Sequence, residues 1–335
     1  LRVLVTGGAG YIGSATAAHF LHAGHDVIVY DTLERGYRDA VPRDAVFVQG
    51  DVGEASALKA AFEQHQPDAV AHFAAYIEAG ESMRLPGKYF RNNIANAITL
   101  LDTMIAHSVT KLVVSSTAAV YASQDEPIPE EAPLGPSNPY GQSKLVIEQM
   151  LHWYRQVHGL HYCALRYFNA CGAMLDAEGT PLRGEAHNPE THLIPITLQV
   201  PLGQRDHMTL FGSDYPTPDG TCIRDYIHIE DLASAHVLAL EALDGQSAMV
   251  YNLGNGRGYS NREVIEVARE VTGHPIPVVE ADRRPGDAPR LVASAERIRR
   301  ELGWEPRFPD LRDIIRTAWS WHRTHPYGYQ TQQGG

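Results

Sequence analysis

Arg2-Val-Leu-Val-Thr-Gly-Gly-Ala-Gly-Tyr-Ile-Gly13 is the stretch that decides how this chain is read. A short apolar run ends abruptly in glycine, and a helical pattern, Tyr11 to His22, follows at once. Glycines at 7, 10 and 13 permit a tight turn, close approach of backbone to a pyrophosphate, and close packing of helix on strand. A helix that starts there aims free N–H groups and a partial positive charge at an anion. The spacing alone is weak, because 29 glycines produce roughly 0.2 such triplets by chance. Its position between the first strand and the first helix makes it strong. The alternative is a sharp turn that holds no ligand.

Outward from this loop the first half alternates strand and helix. Asp26–Tyr30, Val46–Gln49, Asp68–His72, Lys111–Ser115 and His161–Tyr167 read as strands. Glu54–His65, a long amphipathic stretch from about Leu85 to His107, and Pro139–His158 read as helices between them. Continuous apolar strands separated by helices mean a parallel sheet covered on both faces. The fold class is α/β, a doubly wound parallel sheet with a smaller mixed α/β C-terminal substrate domain. After Asn169 the alternation breaks, and residues 171 to 224 are rich in Gly, Pro, Asp and His. Helices return at Asp231–Leu243 and Asn261–Thr272, around a strand-like Met249–Leu253. The expected division is a dinucleotide-binding domain over 1–170 that also receives part of 225–255, an interleaved second domain over 171–330, and a flexible tail over 331–335.

Composition narrows the function classes. The 335 residues are 44% hydrophobic and 20% charged, ordinary values for a globular chain. Every apolar run is too short for a membrane helix, so no membrane partner is expected. The net charge of −12 argues against non-specific nucleic-acid binding, which needs basic surface. Cys163, Cys171 and Cys222 form no CxxC pair and fit a reducing compartment. With no secretory signal expected before the first strand, a cytoplasmic enzyme is the default. His152, His158 and His161 carry no metal-ligand spacing, and no metal is expected.

Two acidic positions and one helix face suggest the chemistry. Asp31 ends the second strand, where a carboxylate holds ribose hydroxyls and repels a 2′-phosphate, which favours NAD over NADP. Arg35 and Arg38, close behind, keep NADP as the alternative. Asp51, followed by Val52, either reaches an adenine edge or caps the next helix. Tyr140-Gly-Gln-Ser-Lys144 opens the helix after Asn138-Pro139, and four-residue spacing puts phenol and ammonium on one face. The cation lowers the phenol pKa there. With lysine only at 59, 88, 111 and 144, about 0.2 such pairs arise by chance. Ser115, Ser116 and Thr117 end a strand at the side of the sheet where ligands bind.

Together these residues resemble the extended short-chain dehydrogenase/reductase family, and within it the UDP-galactose (UDP-glucose) 4-epimerases. His72–Ala75, Gly80–Ser82, Tyr89–Asn93, Leu165–Asn169, Leu210–His228, Asn252–Asn255 and Arg283–Asp287 extend the resemblance from residue 1 to about 329. It implies a Rossmann-type domain, bound NAD, a UDP-sugar substrate in galactose metabolism, and a homodimer built on the helices near 85–107 and 139–158. Tyr140 would be the base, Thr117 a hydrogen-bonding partner of the sugar O4, and Lys144 the tuner of Tyr140. NAD contacts are implied at Gly7, Gly10, Tyr11, Ile12, Gly13, Asp31, Asp51 and Val52. Further ones are implied at Phe73, Ala74, Ala75, Asn92, Ser115, Tyr140, Lys144 and Tyr167. The UDP-sugar would meet Thr117, Asn169, Leu193, Phe211, Arg224, Tyr226, Arg284, Asp287 and Leu291.

The departures from that pattern are informative. Ile77 stands where some relatives carry a lysine that helps hold NAD. Leu291 stands where a bulky tyrosine excludes N-acetylated sugars, so UDP-N-acetylhexosamines become an alternative substrate. UDP-pentose and UDP-uronate share the same machinery. Ala118 and Ala119 replace the acid pair of the 4,6-dehydratases and have no exchangeable proton, which argues against dehydration. The alternative of a different class is a non-catalytic NAD-binding sensor, which has no need of Thr117, Tyr140 and Lys144.

Overall fold

The computed structural model describes residues 1–329 except 123, 125, 285 and 286. The tail expected over 331–335 lies outside the described residues. Seven parallel strands form the central sheet: β1 (Arg2–Thr6), β2 (Asp26–Asp31), β3 (Val46–Gln49), β4 (Ala69–His72), β5 (Lys111–Thr117), β6 (His161–Tyr167) and Ala248–Leu253. Their spatial order is Ala248–Leu253, β6, β5, β4, β1, β2, β3. Strand order reverses between β1 and β4, and ligands bind beside the carboxyl ends at such a point.

Period-two alternation divides the strand side chains between two cores. Val3, Val5, Val27, Val29, Ala71, Val113 and Leu165 face helix α1 (Tyr11–His22) and the helix Ile229–Ala242. Leu4, Ile28, Val70, Leu112, Val114 and Ala164 face α2 (Ala55–His65), Asn96–Ala106 and Pro139–His158. Both faces are covered, which is why the strands read as unbroken apolar runs.

The long helix expected over 85–107 is a composite. An α-helical turn over Pro86–Tyr89 passes into a π-helical stretch, Phe90–Ala95, and then into α-helix over Asn96–Ala106. Wide turns of this kind occur mostly at functional sites, and this one carries Asn93, which is buried and donates to the Ser143 hydroxyl at 3.0 Å.

The remaining chain forms a second layer against the carboxyl ends of the strands. Its core gathers Leu198, Met208, Leu210, Val264, Ile314 and Ile315 among the helices Leu193–Gln199, Asn261–Thr272 and Leu311–Thr324. Ile223–His228 pairs with Asn169–Cys171, Gly258–Ser260 and Arg290–Leu291. Residues 248–253 rejoin the large sheet beside β6, so the chain crosses between the two layers more than once. Among the described residues no helix is long and apolar enough to cross a membrane.

Candidate functional site

The glycine loop is built by steric demand. Gly7 has φ +71°, and a Cβ there would sit 2.6 Å from the Ala74 backbone nitrogen. A Cβ on Gly13 would sit 2.3 Å from the Gly7 carbonyl oxygen. Gly10 differs: it is the N-cap of α1 without a side-chain cap, and its Cβ would meet only the Gly7 carbonyl oxygen, at 3.2 Å. The first turn, with Tyr11, Ile12 and Gly13, carries no acidic side chain. The cradle is thus closed toward the protein and open at the helix N-terminus, which fits a dinucleotide pyrophosphate.

Asp31 closes the adjoining strand. Its carboxylate accepts from Ala9 N at 3.0 Å and Leu33 N at 2.8 Å. Burial raises its pKa, and these two backbone donors oppose the rise. Spare lone pairs remain for ribose hydroxyls. Arg35 donates to the Asn188 carbonyl at 2.6 Å, and Arg38 stacks on Phe47 at 4.6 Å. Both cations thus have other partners, which favours NAD over NADP. Asp51 is exposed and accepts from Gly53 N at 2.8 Å, forming the turn before α2, while Glu54 takes the N-cap position. Val52 is buried in the core. Phe73, Ala74 and Ala75 follow β4, with Phe73 N bonded to Thr6 O. Asn92 is half-buried and donates to Asn93. Tyr167 ends β6, its hydroxyl engaged by His236.

Tyr140 meets Thr117, and Lys144, one turn further along the helix Pro139–His158, meets Ser115, both at the end of β5. Asn138 accepts from Gly141 N at 2.9 Å and Pro139 opens the first turn, so the helix begins one residue before the phenol. A Cβ on Gly141 would lie 2.3 Å from the Ala119 carbonyl oxygen, so glycine lets this helix press onto the strand end. Lys144 is buried and donates to Ser115 O at 2.9 Å and Ser115 Oγ at 3.1 Å. Burial lowers its pKa to about 8, against the pull of Glu148. Burial pushes the Tyr140 phenol up to about 12; the Thr117 hydroxyl pulls it down and Glu78 pushes it up.

Sequence reasoning missed the support beneath these groups. Tyr140, Lys144 and Glu148 continue one four-residue series, and that series was the available signal. Glu148 accepts from Ser116 and pairs with Arg166 at 2.6 Å, both buried. Arg166 also donates to the Tyr121 hydroxyl at 2.7 Å, and Tyr121 donates to Asn252 at 2.7 Å. Ser143 donates to the Tyr140 carbonyl at 2.7 Å.

The other candidate residues come from the second layer. Asn169 and Tyr226 are register partners; burial pushes the Tyr226 phenol well above its ordinary pKa, and Asn169 beside its hydroxyl pulls it down. Leu193 begins a helix. Phe211 is 37% exposed with the Arg284 guanidinium 5.4 Å from its ring centre. Asp287 accepts from Arg284 at 3.0 Å and lies 3.9 Å from Arg224. Leu291 is paired beside Arg224 and packs against the Ala118–Leu145 cluster. An aromatic plate, two guanidiniums, one carboxylate and a buried phenol suit a nucleoside diphosphate.

A family model described as the NAD dependent epimerase/dehydratase family matches residues 3–254. A UDP-glucose 4-epimerase of Halalkalibacterium halodurans is 52% identical over 335 residues, spanning 99% of this chain and 98% of its own. The crystal structure of a UDP-glucose 4-epimerase superposes with a TM-score of 0.94 at 47% identity, over 99% of this chain and 100% of its own. The enzyme from Bifidobacterium longum, in complex with NAD+ and UDP, gives 0.93 at 37% identity over 98% and 100%.

Gly13→Ala must displace either the Gly7 carbonyl or α1. The expected result is a loss of stability of about 1–3 kcal/mol together with loss of retained dinucleotide, read from the absorbance of acid-released nucleotide. A variant that retains the wild-type amount would refute the cradle.

Proposed function

The chain belongs to the NAD dependent epimerase/dehydratase family, and from that premise we propose that it catalyses reversible C4 epimerisation of UDP-glucose and UDP-galactose through a 4-keto intermediate. The observation that carries this reading is the contact of Tyr140 with Thr117 and of the buried Lys144, one helical turn on, with Ser115, both at the end of β5. Bound NAD would supply a hydride acceptor and donor for the sugar C4, with Gly7, Gly10 and Gly13 admitting its pyrophosphate and Asp31 its ribose.

Tyr140 takes the proton from the sugar O4 and returns it in the second half of the cycle. Bringing its phenol from about 12 to near neutrality requires roughly 7 kcal/mol of preferential stabilisation of the phenolate. Lys144 contributes as a low-dielectric cation, and Thr117 by donating to the forming oxyanion. Arg224 and Arg284 neutralise the UDP pyrophosphate, Asp287 orients the ribose, and Phe211 offers a stacking surface. Holding the UDP firmly leaves the sugar free to present either face, as epimerisation demands. Ala118 and Ala119 offer no acid or base for dehydration. Tyr140→Phe should lower kcat by roughly 10²–10⁴-fold while leaving retained NAD intact. A rate equal to wild type would remove Tyr140 as the base, whereas a wild type with no epimerase turnover would favour the sensor reading.

A second substrate reading rests on Leu291, which packs against the apolar cluster that includes Ala118, the residue after Thr117. Leucine leaves room for an acetamido group. UDP-N-acetylgalactosamine should turn over alongside UDP-galactose, and Leu291→Tyr should reduce kcat/KM for the N-acetylated substrate by about tenfold or more. Assays of UDP-galactose, UDP-N-acetylgalactosamine and UDP-arabinose side by side decide it, and no turnover of the second by wild type ends this reading.

The same proposal includes a homodimer. Trp153 and Val157 on the helix Pro139–His158 are 66% and 69% exposed, and Phe90 and Ile98 on the neighbouring helical run are exposed as well. Large apolar groups clustered on adjacent helices call for a partner. Sedimentation should show a dimer that Trp153→Asp with Val157→Asp converts to monomer; a monomeric wild type would contradict it.

A further inference from the structure

Glu185, His187, Glu190 and His192 lie on a segment that is neither helix nor strand, between the short strand Pro181–Arg183 and the helix Leu193–Gln199. No role in the reaction has been assigned to any of them. Their ligating atoms all fall within 4.8 Å of one another. Glu185 Oε1 is 3.0 Å from His187 Nδ1 and 2.8 Å from His192 Nδ1. Glu190 places one oxygen 3.1 Å from His192 Nδ1 and the other 3.8 Å from His187 Nδ1.

Four atoms bound tetrahedrally at about 2.0–2.2 Å stand roughly 3.3–3.6 Å apart; the closest separations here are shorter and all lie within 4.8 Å, so small side-chain rotations would bring one atom of each residue onto a single ion. Both rings aim Nδ1 at the same Glu185 oxygen and both Nδ1 atoms face Glu190, so two imidazoles and two carboxylates share one polar centre. The carboxylates of Glu185 and Glu190 are 4% and 7% exposed, His187 23% and His192 44%. Two carboxylates side by side with so little water require positive charge between them.

We propose that these four side chains bind one divalent transition-metal ion of the zinc type. Two imidazole nitrogens and two carboxylate oxygens match a borderline-soft ion and are a poor set for calcium or magnesium, which prefer all-oxygen shells. Four protein ligands leave no open position, so the ion is structural. Its place in the fold gives it a task. The Tyr11 ring of the glycine loop meets His187 edge-on at 6.0 Å, Arg35 donates to the Asn188 carbonyl at 2.6 Å, and Trp321 donates to the Glu185 carbonyl at 3.0 Å. The ion would pin residues 185–192 between the glycine loop and the C-terminal helix, where no regular secondary structure holds them.

The test uses the full chain stripped of metal, loaded with Zn2+ and dialysed. Elemental analysis should find about one zinc per chain, and unfolding should shift to higher temperature, because an ion that binds only the native state stabilises it. Co2+ in its place should give the intense visible absorption of a tetrahedral site, a readout that needs no variant and no activity. His187→Gln with His192→Gln, verified as folded by circular dichroism, should lose the ion, the colour and the shift. A wild type that retains under about 0.1 zinc per chain, or a double variant that retains as much as wild type, overturns the proposal. In the first case the cluster is an ion-pair network of protonated imidazoles and carboxylates; in the second the metal sits on other histidines.

Discussion

An ammonium group sealed beneath the end of a parallel strand is the constraint on which the rest of this structure depends. Lys144 is 3% exposed, and a buried cation persists only when hydrogen bonds and opposite charge offset its lost hydration. Ser115 provides two oxygens and Glu148 the countercharge. Glu148 is itself buried and requires Ser116 and Arg166; Arg166 requires Tyr121, and Tyr121 meets Asn252. The chain of requirements joins β5, the helix Pro139–His158, β6 and the returning strand Ala248–Leu253. Charged groups stabilise the fold little in themselves, but as a satisfied set they specify one arrangement of four elements. That arrangement holds Tyr140 against Thr117.

Backbone proximity does the corresponding work on the cofactor side. Gly7, Gly13 and Gly141 are each needed because a neighbouring backbone passes where a Cβ would be. Two of them draw α1 and the end of β4 around an open helix N-terminus, and the third lets the tyrosine-bearing helix press onto the residues after β5. Small residues and buried charges thus converge on the same few ångströms of sheet edge, between β1, β4 and β5.

The second layer is assembled differently. Arg224 points toward Asp287, whereas its neighbour Asp225 turns inward, accepting from Asn255 N, Gly256 N and Ala293 N. Burial raises the Asp225 pKa to about 6 despite those three donors. Alternation along one strand therefore turns Arg224 toward Asp287 and Asp225 into the fold. Motif segments such as Leu210–His228 mix both kinds, and their residues cannot be sorted without the register that pairs Arg224 with Leu291 and Tyr226 with Asn169.

The sequence by itself determined the doubly wound sheet, the glycine loop before α1 with Asp31 at the end of the next strand, and the placing of Tyr140 and Lys144 one turn apart on one helix. All three are local: unbroken apolar runs, glycine spacing and a four-residue helical repeat are visible within a short window. The π-helical stretch at Phe90–Ala95, the Glu148–Arg166 pair and the Glu185–His192 cluster were decided only by tertiary structure. Each depends on partners such as Ser143, Ser116, Tyr121 and Tyr11 that are distant in the chain or on another element. The energy of a buried charge or a widened turn is set by what packs around it, and a one-dimensional pattern does not contain those neighbours.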